Sequence, residues 1–171
     1  MIDAASDRML GPWSGTGGAL VWRLSIELEE IDGGLRHAVF VEAKNVALDP
    51  VALIDQPAVS ATVRDAAGHE PASVVLPASG PHHAAQWAVI PRDGYVGIRI
   101  DGRLVGMPAR DQGKALLALG DRSWVLGAGS YVLALQVSFP VDAKGPANQW
   151  SGRMVFPPLA FSVTPNRPEP G

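Results

Sequence analysis

Apolar and polar residues alternate along this chain in steps of two. The clearest stretch is 131–139, where Tyr131, Leu133, Leu135, Val137 and Phe139 fall on one side, with Gln136 and Ser138 on the other. A period of two is the mark of a β-strand with one face in a core. Residues 20–28 repeat the pattern: Leu20, Trp22, Leu24, Ile26 and Leu28 alternate with Val21, Arg23, Ser25 and Glu27. A helix competes for this stretch, because Val21, Leu24, Leu28 and Ile31 form a helical stripe. It would leave Trp22 and Ile26 on a polar side, so the strand is preferred. Asp32-Gly33-Gly34 signals a turn and residues 36–44 the return strand, which together read as a hairpin.

The rest of the chain is punctuated by turn signals. Residues 1–18 read as an irregular lead-in, and 45–55 as a strand that bends away at Asp49-Pro50. Strands are predicted at 59–64, 73–76 (a short edge), 86–90 and 95–100. Asp101-Gly102 reads as a hairpin signal into 103–107, followed by a loop at 108–113. Residues 114–119 are short and uniformly apolar, so strand and helical turn both fit. Trp124-Val125-Leu126 leads into the turn Gly127-Ala128-Gly129 ahead of the strongest strand. Residues 140–149 form a polar loop, and 152–156 and 159–163 are the last strands. Fifteen prolines and nineteen glycines leave little room for a long helix. The expected architecture is all-β: roughly nine to eleven strands in a two-sheet antiparallel sandwich, since crossover helices for a parallel sheet are missing. One domain over 19–164 is expected, with a flexible tail at 165–171.

The order of features over about residues 20–164 resembles bacterial immunoglobulin-like sandwich domains. The residues that carry the resemblance are Asn45-Val46-Ala47-Leu48-Asp49-Pro50-Val51, then Gly129-Ser130-Tyr131-Val132-Leu133, then Trp150-Ser151-Gly152-Arg153. The Cys…Trp…Cys signature of antibody domains is absent. The resemblance implies the sandwich and carries no function with it.

A chain of 171 residues buries enough surface to need no disulfide or metal staple. It contains no cysteine, which removes thiolate metal sites and Cys nucleophiles. Net charge is −3 with both signs interspersed, which argues for a mixed solvated surface over a nucleic-acid patch. No stretch approaches the apolar length of a membrane span. Residues 1–11 lack the basic and apolar regions of a signal peptide. A cytoplasmic protein and an exported domain without its leader both fit.

Candidate chemistry is sparse. His82 and His83 are adjacent in a predicted loop, and neighbours on an extended chain point in opposite directions. A metal would need His69 or Glu70 folded in beside one of them. Ser14 and Ser151 sit in turn contexts, not on a strand-to-helix elbow. The cluster Glu27, Glu29, Glu30 and Asp32 reads as a charged sheet face that discourages aggregation. No helix pattern follows the glycine clusters at 15–18 and 127–129, as a phosphate loop would require. The five tryptophans are the most distinctive feature. Trp22, Trp87 and Trp124 belong to strands and are expected in the core. Trp13 and Trp150 share a Trp-Ser-Gly context in loops, where an exposed indole can stack on a sugar or a peptide side chain. Asn148 and Gln149 stand beside Trp150 as hydrogen-bonding neighbours.

The expected function is a non-enzymatic binding or structural module, with no cofactor, engaging a protein partner or neighbouring domain through loops or an edge strand. A carbohydrate-binding sandwich that uses Trp13 or Trp150 is the alternative. A metal-dependent or serine hydrolase using His69, His82 and His83 is the second.

Overall fold

The structure, a computed structural model, describes residues 8–15, 18–31, 34–76, 84–106 and 114–163. Among these residues there are thirteen strands and no helix. In chain order the strands are β1 (Arg8–Leu10), β2 (Leu20–Ile31), β3 (Gly34–Asn45), β4 (Val51–Ile54), β5 (Ala58–Asp65), β6 (Ser73–Val75) and β7 (Trp87–Ile90). Then follow β8 (Tyr95–Gly106), β9 (Ala115–Leu119), β10 (Arg122–Leu126), β11 (Gly129–Phe139), β12 (Gly152–Val155) and β13 (Leu159–Val163). Every ladder between them is antiparallel.

The large sheet has the order β1-β2-β3-β8-β9-β10-β6. A second sheet is built around β11, which pairs with β5 along one side and with β12 and β13 in succession along the other. β4 and β7 form a two-stranded ribbon. One hydrophobic cluster draws on all three. The large sheet contributes Leu20, Trp22, Leu24, Val41, Ile98, Leu119, Trp124 and Leu126; β11 gives Leu133, Leu135, Val137 and Phe139; the ribbon gives Leu53 and Ile90. At its centre Trp22 lies 5.1 Å from Phe139 and 4.9 Å from Trp150, ring centre to ring centre. Such aromatic pairs contribute about 0.5–1.5 kcal/mol beyond their buried area.

Three expectations are corrected and one open reading is resolved. There are thirteen strands among the described residues, not nine to eleven. The described part of the lead-in contains a strand: β1 pairs with β2, the Gly11 amide donates to the Leu24 carbonyl at 2.8 Å, and Ser14 bridges Trp22. Residues 8–14 thus take their order from β2's edge, which their own composition does not reveal. Asp101-Gly102 is not a hairpin but lies inside β8. Between the pairs Phe40↔Arg99 and Ala38↔Arg103 the register slips, so β8 carries surplus residues there. A glycine inside a strand relaxes the backbone at such an irregularity as readily as it turns a corner. Residues 114–119, open between strand and helical turn, contain β9. The predicted loop holding His82 and His83, the loop at 108–113 and the tail at 165–171 lie outside the described residues.

Candidate functional site

The four residues singled out from sequence do not share one site. Trp13 sits on the segment that runs beside β2, with 41% of its surface exposed. The Arg23 guanidinium lies 4.4 Å from its ring centre, a cation–π contact. Trp150 is half-buried and packs against Trp22 and, at 5.6 Å, against Phe139. Its backbone amide donates to the Ala52 carbonyl, which docks the 140–150 loop on β4. Asn148 is exposed, and its Nδ2 donates to the Pro50 carbonyl at 3.0 Å. Gln149 closes its own loop: Nε2 donates to the Asp142 carbonyl and Oε1 accepts from the Asp142 amide. These three residues hold a loop in place, while Trp13 belongs to a different face.

That face is the side of the large sheet turned away from the core. Trp22 and Leu24 of β2, Val41 and Ala43 of β3, and Val96 and Ile98 of β8 pack with the core cluster, so their alternate neighbours look outward. The ladders set these neighbours in three rows. Val21, Lys44 and Tyr95 form one, Arg23, Glu42 and Gly97 the next, and Ser25, Phe40 and Arg99 the third. Glu42 occupies the centre and is only 1% exposed. Arg23 reaches it from β2 through an Nε–carboxylate ion pair. On the other side stands Gly97, with no side chain. A Cβ built there would meet Glu42 and Phe40 only at 3.9 and 4.0 Å, ordinary contact distances. The result is a shallow trough along β8 between Tyr95, which is 65% exposed, and the exposed Arg99.

The Arg23–Glu42 pair makes a stability prediction. Arg23→Ala removes the cation that faces a carboxylate deep under the surface, and is expected to cost about 2–3 kcal/mol. Urea denaturation followed by tryptophan fluorescence measures it. Adding Glu42→Gln to Arg23→Ala should recover part of that loss, because the burial of charge is then relieved. Equal midpoints for Arg23→Ala and the parent would show that the pair carries no weight.

The β6 edge of the large sheet is the second notable feature. β6 pairs only with β10 among the described residues. The Leu76 amide donates to the Asp121 carbonyl at 2.7 Å, which sets the phase of the ladder. Because hydrogen-bonded and non-bonded pairs alternate, the backbone N–H and C=O of Ser73 and Val75 point away from β10. Val74 and Val75 are 65% and 66% exposed, and Val125 on β10 is exposed too.

Other candidates stand apart. His69 is exposed, 3.7 Å from an Asp65 carboxylate oxygen. Ser14 donates its hydroxyl to the Trp22 carbonyl. Among the described residues no three His, Asp or Glu side chains gather as a metal site, and no helix is long and apolar enough to cross a membrane. Comparison with protein-family models, with curated proteins and with solved structures returns no match.

Sequence reasoning passes over Tyr95, Gly97, Arg99, Lys44 and Phe40. One signal is legible: in the alternation from Tyr95 to Ile100, Gly97 falls where the outward face should carry a side chain. A mid-strand glycine costs roughly 0.5–1 kcal/mol relative to alanine, so it calls for a reason. The residues around it come from β3, more than fifty positions upstream, and only the ladder register supplies them.

Proposed function

We propose that this chain is a non-enzymatic binding or structural module, an immunoglobulin-like β-sandwich that engages a protein partner by strand addition along β6. The observation that carries the reading is the edge itself: outward N–H and C=O groups of Ser73 and Val75 beside exposed Val74 and Val75. Unpaired edges with apolar side chains are templates for a further strand, and proteins without a use for them blunt them with charge or proline. The sandwich is supported by the Trp22–Phe139 contact between the large sheet and β11. The immunoglobulin-like reading is supported by Tyr131, whose hydroxyl donates to the Gly127 carbonyl four residues upstream at 3.0 Å. A tyrosine at the start of a strand that bonds back to the preceding corner is a feature of such sandwiches.

The test uses a phage library of random twelve-residue peptides selected on the purified chain. Recovered peptides should be apolar at alternate positions. Val75→Pro removes an outward N–H without touching the β10 ladder, so the fold should keep its unfolding midpoint. The selected peptides should bind this variant about tenfold more weakly, the loss of one or two main-chain hydrogen bonds. Peptides that bind Val75→Pro as tightly as the parent, or a selection that recovers none, would refute the reading.

A further inference from the structure

We infer that the partner of the β6 edge is a second copy of this chain, joined across a two-fold axis that passes between the two Val74 residues. This rests on the strand-addition reading of β6 and names the strand that is added. It begins with the groups the edge has to offer. Ser73 and Val75 turn their N–H and C=O outward, while those of Val74 belong to the β10 ladder. Two positions before Ser73 and two after Val75 the sequence has proline, Pro71 and Pro77. Proline has no N–H to give. The usable window therefore ends at Ser73 and Val75, and it is symmetric about Val74.

Such a window is complementary to itself. In an added antiparallel strand, each pair of residues with outward groups exchanges two hydrogen bonds. With the axis at Val74, Ser73 of each copy faces Val75 of the other, and every outward N–H and C=O of these residues is used. An axis at Ser73 would set Val75 against Pro71, and an axis at Val75 would set Ser73 against Pro77. Either shift leaves a carbonyl without a donor. One register is thus selected from the chain's own sequence, as an isologous contact requires.

The side chains agree. Val74, 65% exposed, falls at the axis in a non-hydrogen-bonded pair, the closer of the two kinds, with Cα atoms about 4.5 Å apart. Two valines facing there take apolar surface out of water. Val125 of β10 stands on the same side as Val74 and is exposed as well, so the apolar strip continues on each copy. Residues 71–77 carry no charge. Edges that must stay apart from their copies are guarded by lysine or other charges, and none stands here to repel a second copy. Pairing would join two seven-stranded sheets into one continuous sheet. Three paired residues a side, against the roughly 20–30 of a standard interface, make a weak dimer with Kd on the order of 0.1–1 mM. At micromolar concentration the chain is mostly monomeric, which leaves β6 open to selected peptides.

Cross-linking of the full chain tests the inference, since it has no cysteine of its own. Val74→Cys places two thiols at the axis, at a Cα separation of about 4.5 Å that a disulfide can span. Under air with a copper catalyst it should form a disulfide-linked dimer about tenfold faster than Val125→Cys, an exposed thiol on the same side but off the axis. Adding Val75→Pro should bring the rate down to that of Val125→Cys. Sedimentation equilibrium gives a reading without cysteine. Val74→Lys and Val74→Glu should each abolish association at concentrations where the parent pairs, and their equimolar mixture should restore it, because opposite charges then face each other. Cross-linking of Val74→Cys no faster than Val125→Cys, cross-linking that survives Val75→Pro, or no restored association in the mixture would overturn the inference. Peptide selection judges the underlying reading separately: peptides that prefer the parent to Val75→Pro, beside a Val74→Cys that does not cross-link, would overturn the second copy and leave β6 with a foreign strand.

Discussion

Asn45→Ala is expected to lower the stability of the fold by about 3 kcal/mol, since it leaves buried hydrogen-bonding groups without partners. Asn45 ends β3 and is fully buried. Its Nδ2 donates to the Asp49 carbonyl at 2.8 Å and to the Ile90 carbonyl at 3.0 Å, and its Oδ1 accepts from the Ala47 amide at 2.8 Å. Its backbone is used as well: the amide donates to Gly94, and the carbonyl accepts from Asp93. One residue therefore pins the loop between β3 and β4, the end of β7 and the turn into β8. Alanine keeps the backbone bonds and removes the side-chain ones. The Asp49 carbonyl, at an exposed residue, can turn to water, whereas Ile90 is buried and its carbonyl has no such recourse. In a chain of this size the loss corresponds to a fall of roughly 6–12 °C in Tm. Asn45→Asp keeps the acceptor but loses both donors and buries a charge, so it should be at least as harmful. Thermal or urea unfolding measures both, and a loss under about 1 kcal/mol for Asn45→Ala would show that the loop is held by its backbone bonds alone.

The same residue shows what local sequence can and cannot carry. Asn45 ahead of an apolar stretch is visible as a pattern, but its partner at Ile90 lies forty-five positions away. The pattern marks the position without revealing its task. Strands with one polar face are legible for a simple reason. β11 and β2 alternate because one side meets the core and the other does not. β9 is less legible because Ala118, on the side away from the core cluster, is buried as well as Leu117 and Leu119. A strand covered on both sides reads as a uniform apolar run, which is also how a helical turn reads. β1 is invisible in sequence because its ladder is borrowed from β2. The two Trp-Ser-Gly segments separate only in three dimensions: Trp150 meets Trp22 and Phe139, residues far off in the chain, while Trp13 meets Arg23 at the surface. The outward face has the same character. Gly97 is a local anomaly, yet Lys44, Glu42 and Phe40 join it only through the β3–β8 register.

Gly120→Val should be the most damaging substitution at any described glycine, at about 3–4 kcal/mol. The pairing of Leu119 with Arg122 leaves Gly120 and Asp121 as a two-residue loop between β9 and β10. Gly120 has φ of 58° and Asp121 is not among the residues with positive φ, the pattern of a type II′ turn with glycine first. A β-branched side chain in that conformation costs about 1–2 kcal/mol on its own. The surroundings add to it, because an ideal Cβ would stand 2.6 Å from the Val59 carbonyl oxygen and 3.3 Å from its carbon. Those are backbone atoms of β5, fixed by pairing with Val137 of β11, and cannot swing aside as a side chain can. Overpacking of this kind adds about 1–3 kcal/mol. The turn of the large sheet here meets β5 of the β11 sheet, so the variant presses the two apart. Gly97→Val makes the contrast: the same substitution in β8 meets an ordinary strand conformation, with no atom closer to the new Cβ than 3.9 Å, and should not destabilise. Urea titrations of the two variants, side by side, separate a glycine that the fold requires from one that it merely tolerates. If both lose stability alike, Gly97 is structural as well; if neither does, the Gly120 turn does not press on β5.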